Sequence, residues 1–239
     1  VYGICRETAY LLADGELLPV PGAPPPMERT TWADGTPAVE APGYPGSSMV
    51  LHRVGDGPDG KIYATSIQPE YLFQYDPATG ACTNLGLIPG AEAYSFLNAY
   101  GKLFIASYTG STLQIYDPAR PFHPGTARDP EPPDAERGCN PANYGSIAPN
   151  QQRPYDMALG ADGRIYLASV AGYGFLRGVI AWYDPETDGI DFVPNPLGEE
   201  SLTALCPLPD GPLIVASALL GGGERSEERR VGKECSELC

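Results

Sequence analysis

The sequence predicts an all-β fold assembled from repeated units of four antiparallel strands, and three observations predict it. The first is a block that opens on glycine and closes on serine, at Gly60–Ser66, Gly101–Ser107, Gly163–Ser169 and Gly211–Ser217. The second is Tyr-Asp-Pro, at Tyr75–Pro77, Tyr116–Pro118 and Tyr183–Pro185. Asp76 follows Gly60 by 16 positions and Asp117 follows Gly101 by 16, whereas Asp184 follows Gly163 by 21. The third is Asn84-Leu85-Gly86, which recurs as Asn143-Tyr144-Gly145. Period-matched blocks of this kind mark a repeat architecture.

Each block has the physics of antiparallel strands. Asp-Gly at 59–60, 162–163 and 210–211 offers the positive backbone angles of tight hairpins. The run after each glycine is rich in Ile, Tyr, Leu, Val and Ala on both alternate faces, which suits a strand buried on two sides. Asp-Pro-Ala-Thr-Gly at 76–80 and Asp-Pro-Glu-Thr-Asp-Gly at 184–189 then turn the chain again. Upstream of each opening glycine lies another short apolar strand, at Met49–Val54, Tyr94–Ala99, Tyr155–Leu159 and Leu202–Leu205. Four such strands at a spacing of about 40–60 residues make one blade of a β-propeller.

In chain order, residues 1–20 read as the back part of a blade, with strands at Val1–Ile4 and Thr8–Ala13 and a turn at Asp14-Gly15. Residues 19–46 are proline-rich and read as a long surface connection. Residues 47–90, 91–149 and 150–197 each make a complete blade, and 199–224 begin another and reach its second strand. Asn143 follows Asp117 by 26 positions where Asn84 follows Asp76 by 8, so the second blade carries an insertion. It lies within Arg120–Cys139 and is expected as an exposed loop between the two outer strands. The third blade carries five extra residues within Ala171–Gly178. Residues 225–239 share nothing with the repeat. Within them, Arg225–Cys235 resembles the in-frame translation of a sequencing-library adapter, so this tail is set apart from the fold as an artefact. With incomplete blades at both ends, the chain reads as a fragment of a larger propeller whose remaining blades are its first expected partners.

The composition agrees. The 239 residues include 29 Gly and 27 Pro, which serve the turns, and 15 Tyr against 2 Trp, which suits strand packing. A formal net charge of −15 argues against nucleic acid and anionic membrane surfaces as partners. The longest apolar run, Leu213–Leu220, is too short to span a bilayer. No signal peptide is legible and the chain opens at Val1 inside a strand, so its compartment is left unassigned.

Few residues offer chemistry. Cys5, Cys82, Cys139 and Cys206 lack metal-site spacing and read as free, buried thiols, while Cys235 and Cys239 fall in the tail. His52 falls on an innermost strand and His123 in the insertion; both are expected to be structural. Asp156 is the one obvious acid on the innermost strands, and a lone carboxylate holds a hard cation poorly, so no metal and no cofactor are expected. Ser66, Ser107, Ser169 and Ser217 occupy equivalent positions, whereas a nucleophile needs one special environment with a base. They read as small residues closing a strand where blades converge.

Placement carries the functional reading. The loops entering the innermost strand and those joining the second and third strands share one face, around the channel mouth, the usual concave site. That face collects Glu92 and Tyr94 from one blade and Gln152, Arg153, Tyr155 and Asp156 from the next. Tyr173 and Arg177 come from the five-residue insertion and Glu200 from the last partial blade. Aromatic rings beside arginine and amides suit a sugar ring, a carboxylated glycan or a peptide.

The glycine-opened strands with Tyr-Asp-Pro-x-Thr-Gly turns, as at Tyr75–Gly80, resemble bacterial propeller repeats of the broad kelch, quinoprotein-like and NHL-like kind. The resemblance covers about residues 47–220. The tryptophan-docking signature of quinoprotein repeats and the paired-glycine core of kelch repeats are both absent, so no subfamily follows. It implies a propeller and leaves the activity open, since propellers host unrelated functions. The expected function is a non-catalytic binding scaffold for carbohydrate or peptide. The alternative is a metal-dependent propeller enzyme of the polysaccharide lyase or lactonase kind, with its ligands on further blades.

Overall fold

A computed structural model describes residues 50–126, 132, 134–195, 197–209 and 211–218, together with the backbone of five short strands between residues 2 and 39. The turn at 14–15, Asp210 and the tail at 225–239 lie outside the described residues, as does the side chain of Cys5.

Three complete four-stranded antiparallel sheets follow one another along the chain. β6 (Leu51–Asp56), β7 (Ile62–Ser66), β8 (Tyr71–Tyr75) and β9 (Cys82–Leu87) form the first, after the five short strands β1–β5. The second is β10 (Glu92–Ala99), β11 (Lys102–Tyr108), β12 (Thr112–Tyr116) and β13 (Ala142–Ser146). The third is β14 (Gln151–Leu159), β15 (Ile165–Ala171), β16 (Val179–Asp184) and β17 (Gly189–Pro194), followed by the pair β18 (Ser201–Pro207) and β19 (Leu213–Ala218). Each sheet is a simple meander, so its strands pair in sequence order. Near the start of the chain, β1 (Tyr2–Cys5), β2 (Thr8–Ala13) and β3 (Glu16–Pro19) make a three-stranded sheet. The proline-rich stretch expected to be plain connection holds a paired β4 (Arg29–Thr31) and β5 (Pro37–Val39). Pro37 opens its strand, the position where a missing N–H is tolerated.

The sheets pack face to face, and the cores lie between them. Along β11, Leu103 and Ile105 face the sheet before, joining Tyr63, Leu72, Ile88 and Tyr116. Phe104 and Ala106, one residue out of phase, face the sheet after, joining Met157, Ile165, Leu167 and Val179. Ala168 on β15 meets Leu202 and Leu205 on β18 in a third cluster. The alternation along a strand thus feeds two different cores, and the blades are apolar on both faces for that reason. Each fully buried leucine or isoleucine contributes about 1.5–3 kcal/mol.

The turns hold two surprises. At Gly57–Lys61 and Gly160–Arg164 the hairpin is a four-residue turn closed by Gly60 N–H to Gly57 O (3.3 Å) and Gly163 N–H to Gly160 O (3.0 Å), with the second glycine left-handed. Pro58 in the second position suits that turn because its φ is preset. Gly211 N–H makes the same turn bond to Leu208 O at 3.4 Å. A two-residue hairpin occurs instead at Tyr100-Gly101, where φ is 55° and 69°. The other surprise is Asn-x-Gly. Phe73 pairs with Asn84 but Leu72 with Gly86, and Gln114 pairs with Asn143 but Leu113 with Gly145. The motif is therefore a β-bulge, and the extra residue, Leu85 or Tyr144, is turned onto an inter-blade core.

Candidate functional site

A meander puts alternate connections at opposite ends of its sheet. One end of these blades carries hairpins, where Tyr100 Oη donates to Gly163 O of the next blade at 2.5 Å. The other end carries the loops between second and third strands and those entering each first strand. These are stitched together by Gln68 N–H to Ala91 O (2.8 Å), Ser111 N–H to Gln152 O (3.1 Å) and Arg177 N–H to Glu199 O (2.9 Å). The candidate site lies at this loop end.

The first strands build it through a repeated defect. The closing serines lie opposite Leu51, Ala93, Pro154 and Leu202. In each case the next residue of the first strand is skipped by the pairing: His52, Tyr94, Tyr155 and Thr203. β14 has a second such bulge at Gln152. A bulged residue escapes the strict alternation and can be aimed elsewhere. Three of the four bulged side chains meet in an arc, with His52 edge-on to Tyr94 at 5.2 Å and Tyr94 tilted on Tyr155 at 5.3 Å between ring centroids. His52 Nδ1–H donates to Ala93 O at 2.7 Å, which holds the ring in place.

Arg153 stands beside this arc, half-buried. Its Nε–H donates to Tyr94 Oη at 3.1 Å and its Nη2 to Tyr173 Oη at 2.8 Å. Its guanidinium carbon lies 4.9 Å from the Tyr108 ring centroid and 5.4 Å from that of Tyr173. Burial works to lower the arginine pKa; the contacts with Tyr173 and Tyr94 outweigh it and hold the pKa above its ordinary value. The Tyr94 hydroxyl donates in turn to Glu92 Oε1 at 3.1 Å. Burial, helped by the Glu92 charge and opposed by Arg153, pushes the Tyr94 phenol up, so it stays neutral. Among the described residues no carboxylate forms an ion pair with Arg153, and its Nη1 hydrogens meet no protein acceptor.

Of the residues expected here, Glu92, Tyr94, Arg153, Tyr155 and Tyr173 are joined in one contact network. Gln152 flanks them, half-buried, on its own bulge. Asp156 is engaged elsewhere: its carboxylate accepts Met157 N–H at 2.9 Å and Leu205 N–H at 2.8 Å, clamping the third blade to β18. Arg177 is exposed with φ of 75°, and its main chain, rather than its side chain, ties the insertion to Glu199 and Gln151. Glu200 accepts Gly178 N–H and Asn195 Nδ2–H through its main-chain oxygen, while its half-buried carboxylate lies beside Gly198.

Tyr108 and His52 are the additions. Tyr108 follows a closing serine at a position that holds Ile67 and Val170 in the neighbouring copies, so an aromatic replacing an aliphatic was the available signal. His52, read from sequence as structural, is indeed tied to a carbonyl but is also exposed at the end of the arc.

The serines have a structural explanation. Ser66 Oγ accepts Tyr71 N–H at 3.0 Å, and Ser169 Oγ accepts Val179 N–H at 3.3 Å while donating to Gln151 Oε1 at 2.7 Å. Ser107 Oγ donates to the buried Glu70 at 2.8 Å, across the blade interface. Cys82, Cys139 and Cys206 are free thiols, though Cys206 is exposed and the other two only half-buried, because they sit on outer strands, a loop and an edge strand rather than between sheets.

No protein-family model matches the chain, and no curated protein matches it significantly. Solved structures do match. A streptogramin B lyase aligns with TM-score 0.56 at 15% identity over 89% of this chain and 70% of its own. Virginiamycin B lyase from Staphylococcus aureus aligns with TM-score 0.54 at 11% identity over 88% of this chain and 71% of its own. The extracellular domain of BT4673 from B. thetaiotaomicron aligns with TM-score 0.51 at 14% identity over 90% of this chain and 24% of its own. These are β-propellers. The chain has the β-propeller fold. At such identities the likeness reaches no further than the fold, and no described helix is long and apolar enough to cross a membrane.

Proposed function

We propose that this propeller is a non-catalytic binding scaffold whose loop end takes a ligand bearing a carboxylate, on a carbohydrate or a peptide. The observation that supports it best is Arg153: a half-buried guanidinium oriented by two tyrosine hydroxyls, backed by two rings and left with donors to spare. Orienting contacts of this kind reduce the entropy lost on binding, and a planar guanidinium matches a carboxylate. In a chain of net charge −15, a cation without a directly paired acid is also the local exception to which an anion would be drawn.

The test is calorimetric titration of the whole chain with trigalacturonate, with its methyl ester, and with short peptides as acids and as amides. At least one acid should bind, its neutral form about 10-fold more weakly or worse, and Arg153→Gln should erase the difference. Equal binding of acid and neutral forms, or no binding by any acid, overturns the proposal. Turnover of a bound glycan that depends on added divalent cation would replace it with the enzymatic reading.

A further inference from the structure

The five-residue insertion in the third blade does more than place Tyr173 against Arg153. Its tip is apolar and uncovered: Tyr173 is 57% exposed, Phe175 48% and Leu176 42%. The loop beside it presents Leu197, 62% exposed. The two loops are held together by Arg177 N–H to Glu199 O and Gly178 N–H to Glu200 O, and Phe175 N–H to Gly172 O fixes the tip as a turn. Leucine and phenylalanine at such an exposed tip are costly to leave in water, and burying them against a ligand would recover that cost.

We propose that the ligand of this site is a peptide bound by its C-terminal end, with the carboxylate on Arg153 and the last apolar side chain on the shelf of Phe175, Leu176 and Leu197. The inference rests on the carboxylate reading given above and narrows it. A glycan fits the shelf less well than an apolar side chain does, because two of its three members, Leu176 and Leu197, offer no flat face to a sugar ring, and none of the three offers a partner to sugar hydroxyls. A peptide C-terminus joins an anion to an apolar side chain within one residue, and here Phe175 follows by two positions the Tyr173 whose hydroxyl meets Arg153. Capture of a terminal carboxylate is a known mode of peptide recognition. The acids nearby shape the approach: Glu92 lies behind Tyr94, and Glu199 and Glu200 follow Leu197, so Arg153 is where the charge of the terminus is welcome.

The experiment uses acetyl-Gly-Gly-Phe and acetyl-Gly-Gly-Leu as acids and as amides, with trigalacturonate as the competing class, on the whole chain by calorimetry. The peptide acids should bind and their amides should bind about 10-fold more weakly or worse. The double variant Phe175→Ser with Leu176→Ser should weaken the peptide acids by about 10-fold while keeping the preference for acid over amide. Arg153→Gln should remove that preference. If trigalacturonate binds and the peptide acids do not, the peptide inference falls and the carboxylate reading stands. If peptide acids and amides bind alike, the peptide inference falls; if no acid binds, or none binds better than its neutral form, both fall. If the double variant binds the peptide acids as tightly as the parent, the shelf has no part and the inference falls.

Discussion

The two ends of the blades use the same residue types to opposite effect. At the hairpin end, tyrosine hydroxyls meet carboxylates directly: Tyr63 with Asp59 at 3.0 Å, Tyr166 with Asp162 at 2.8 Å, and Tyr144 and Tyr183 with Asp188 at 2.5 and 2.9 Å. Arg164 there reaches Asp184 at 3.1 Å and lies over Trp182. At the loop end, Arg153 is also surrounded by aromatics, yet the nearest acid in its network, Glu92, is one tyrosine away. A tyrosine–acid pair at a hairpin satisfies both partners and closes the site. A tyrosine–arginine pair orients the cation and leaves its charge and further donors open. The difference teaches that the same residue types close the hairpin end with their own contacts, whereas at the loop end Arg153 is oriented by tyrosines without a directly paired acid among the described residues.

Three substitutions would break or sharpen this contrast. Leu103→Ala strikes the core that both ends share, and should cost roughly 2–5 kcal/mol in a denaturant titration. A loss well under that would mean that the sheets do not depend on each other for burial.

Asp188→Asn probes the hairpin end. Asp188 has φ of 53°, in the position that glycine holds at Gly80, so a carboxylate is kept there against backbone preference. Its pKa is lowered, first by the Tyr144 hydrogen bond and then, against the opposing pull of burial, by Tyr183 and Arg137. A lowered folded pKa stabilises fully above the unfolded value of about 3.9, and the contribution is lost as the pH falls through the lower folded value. Asparagine, which tolerates the same backbone region, should remove that part of the acid limb. The urea midpoint of the parent should therefore fall more between pH 5 and pH 2 than that of the variant, and parallel curves would show that Asp188 stores no such stability.

Tyr173→Ser tests the loop end and should have the smallest effect on the fold, within about 0.5 kcal/mol, since the side chain is exposed. Affinity for an acid ligand should nonetheless drop, because Arg153 loses both a hydrogen-bond acceptor and a ring. A large stability loss would make Tyr173 a packing residue and the loop end no different from the hairpin end.

Much of this was legible in the residues. Glycine-opened apolar runs such as Gly101–Ser107, with Asp-Pro turns at matched spacing, announce strands whose two faces are both buried, because only a stack of sheets accommodates them. Tyr94, Arg153 and Tyr173 could be assigned to one end because a meander leaves no choice about which loops share it. What escaped is where pairing departs from strict alternation. His52, Tyr94 and Tyr155 are skipped by the ladder at equivalent places, and the recurring Asn-x-Gly block is a bulge. Asp156 looked like a channel acid and is instead held by two main-chain N–H groups.

By itself the sequence determined the repeat, the strand order within each blade and the inter-blade burial, since these follow from local turn chemistry and from the period of apolar residues. Only the tertiary structure decided which side chains meet. Register shifts of a single residue, and contacts between residues as far apart as Tyr94 and Arg153, depend on how three sheets stack, and no local period encodes that stacking.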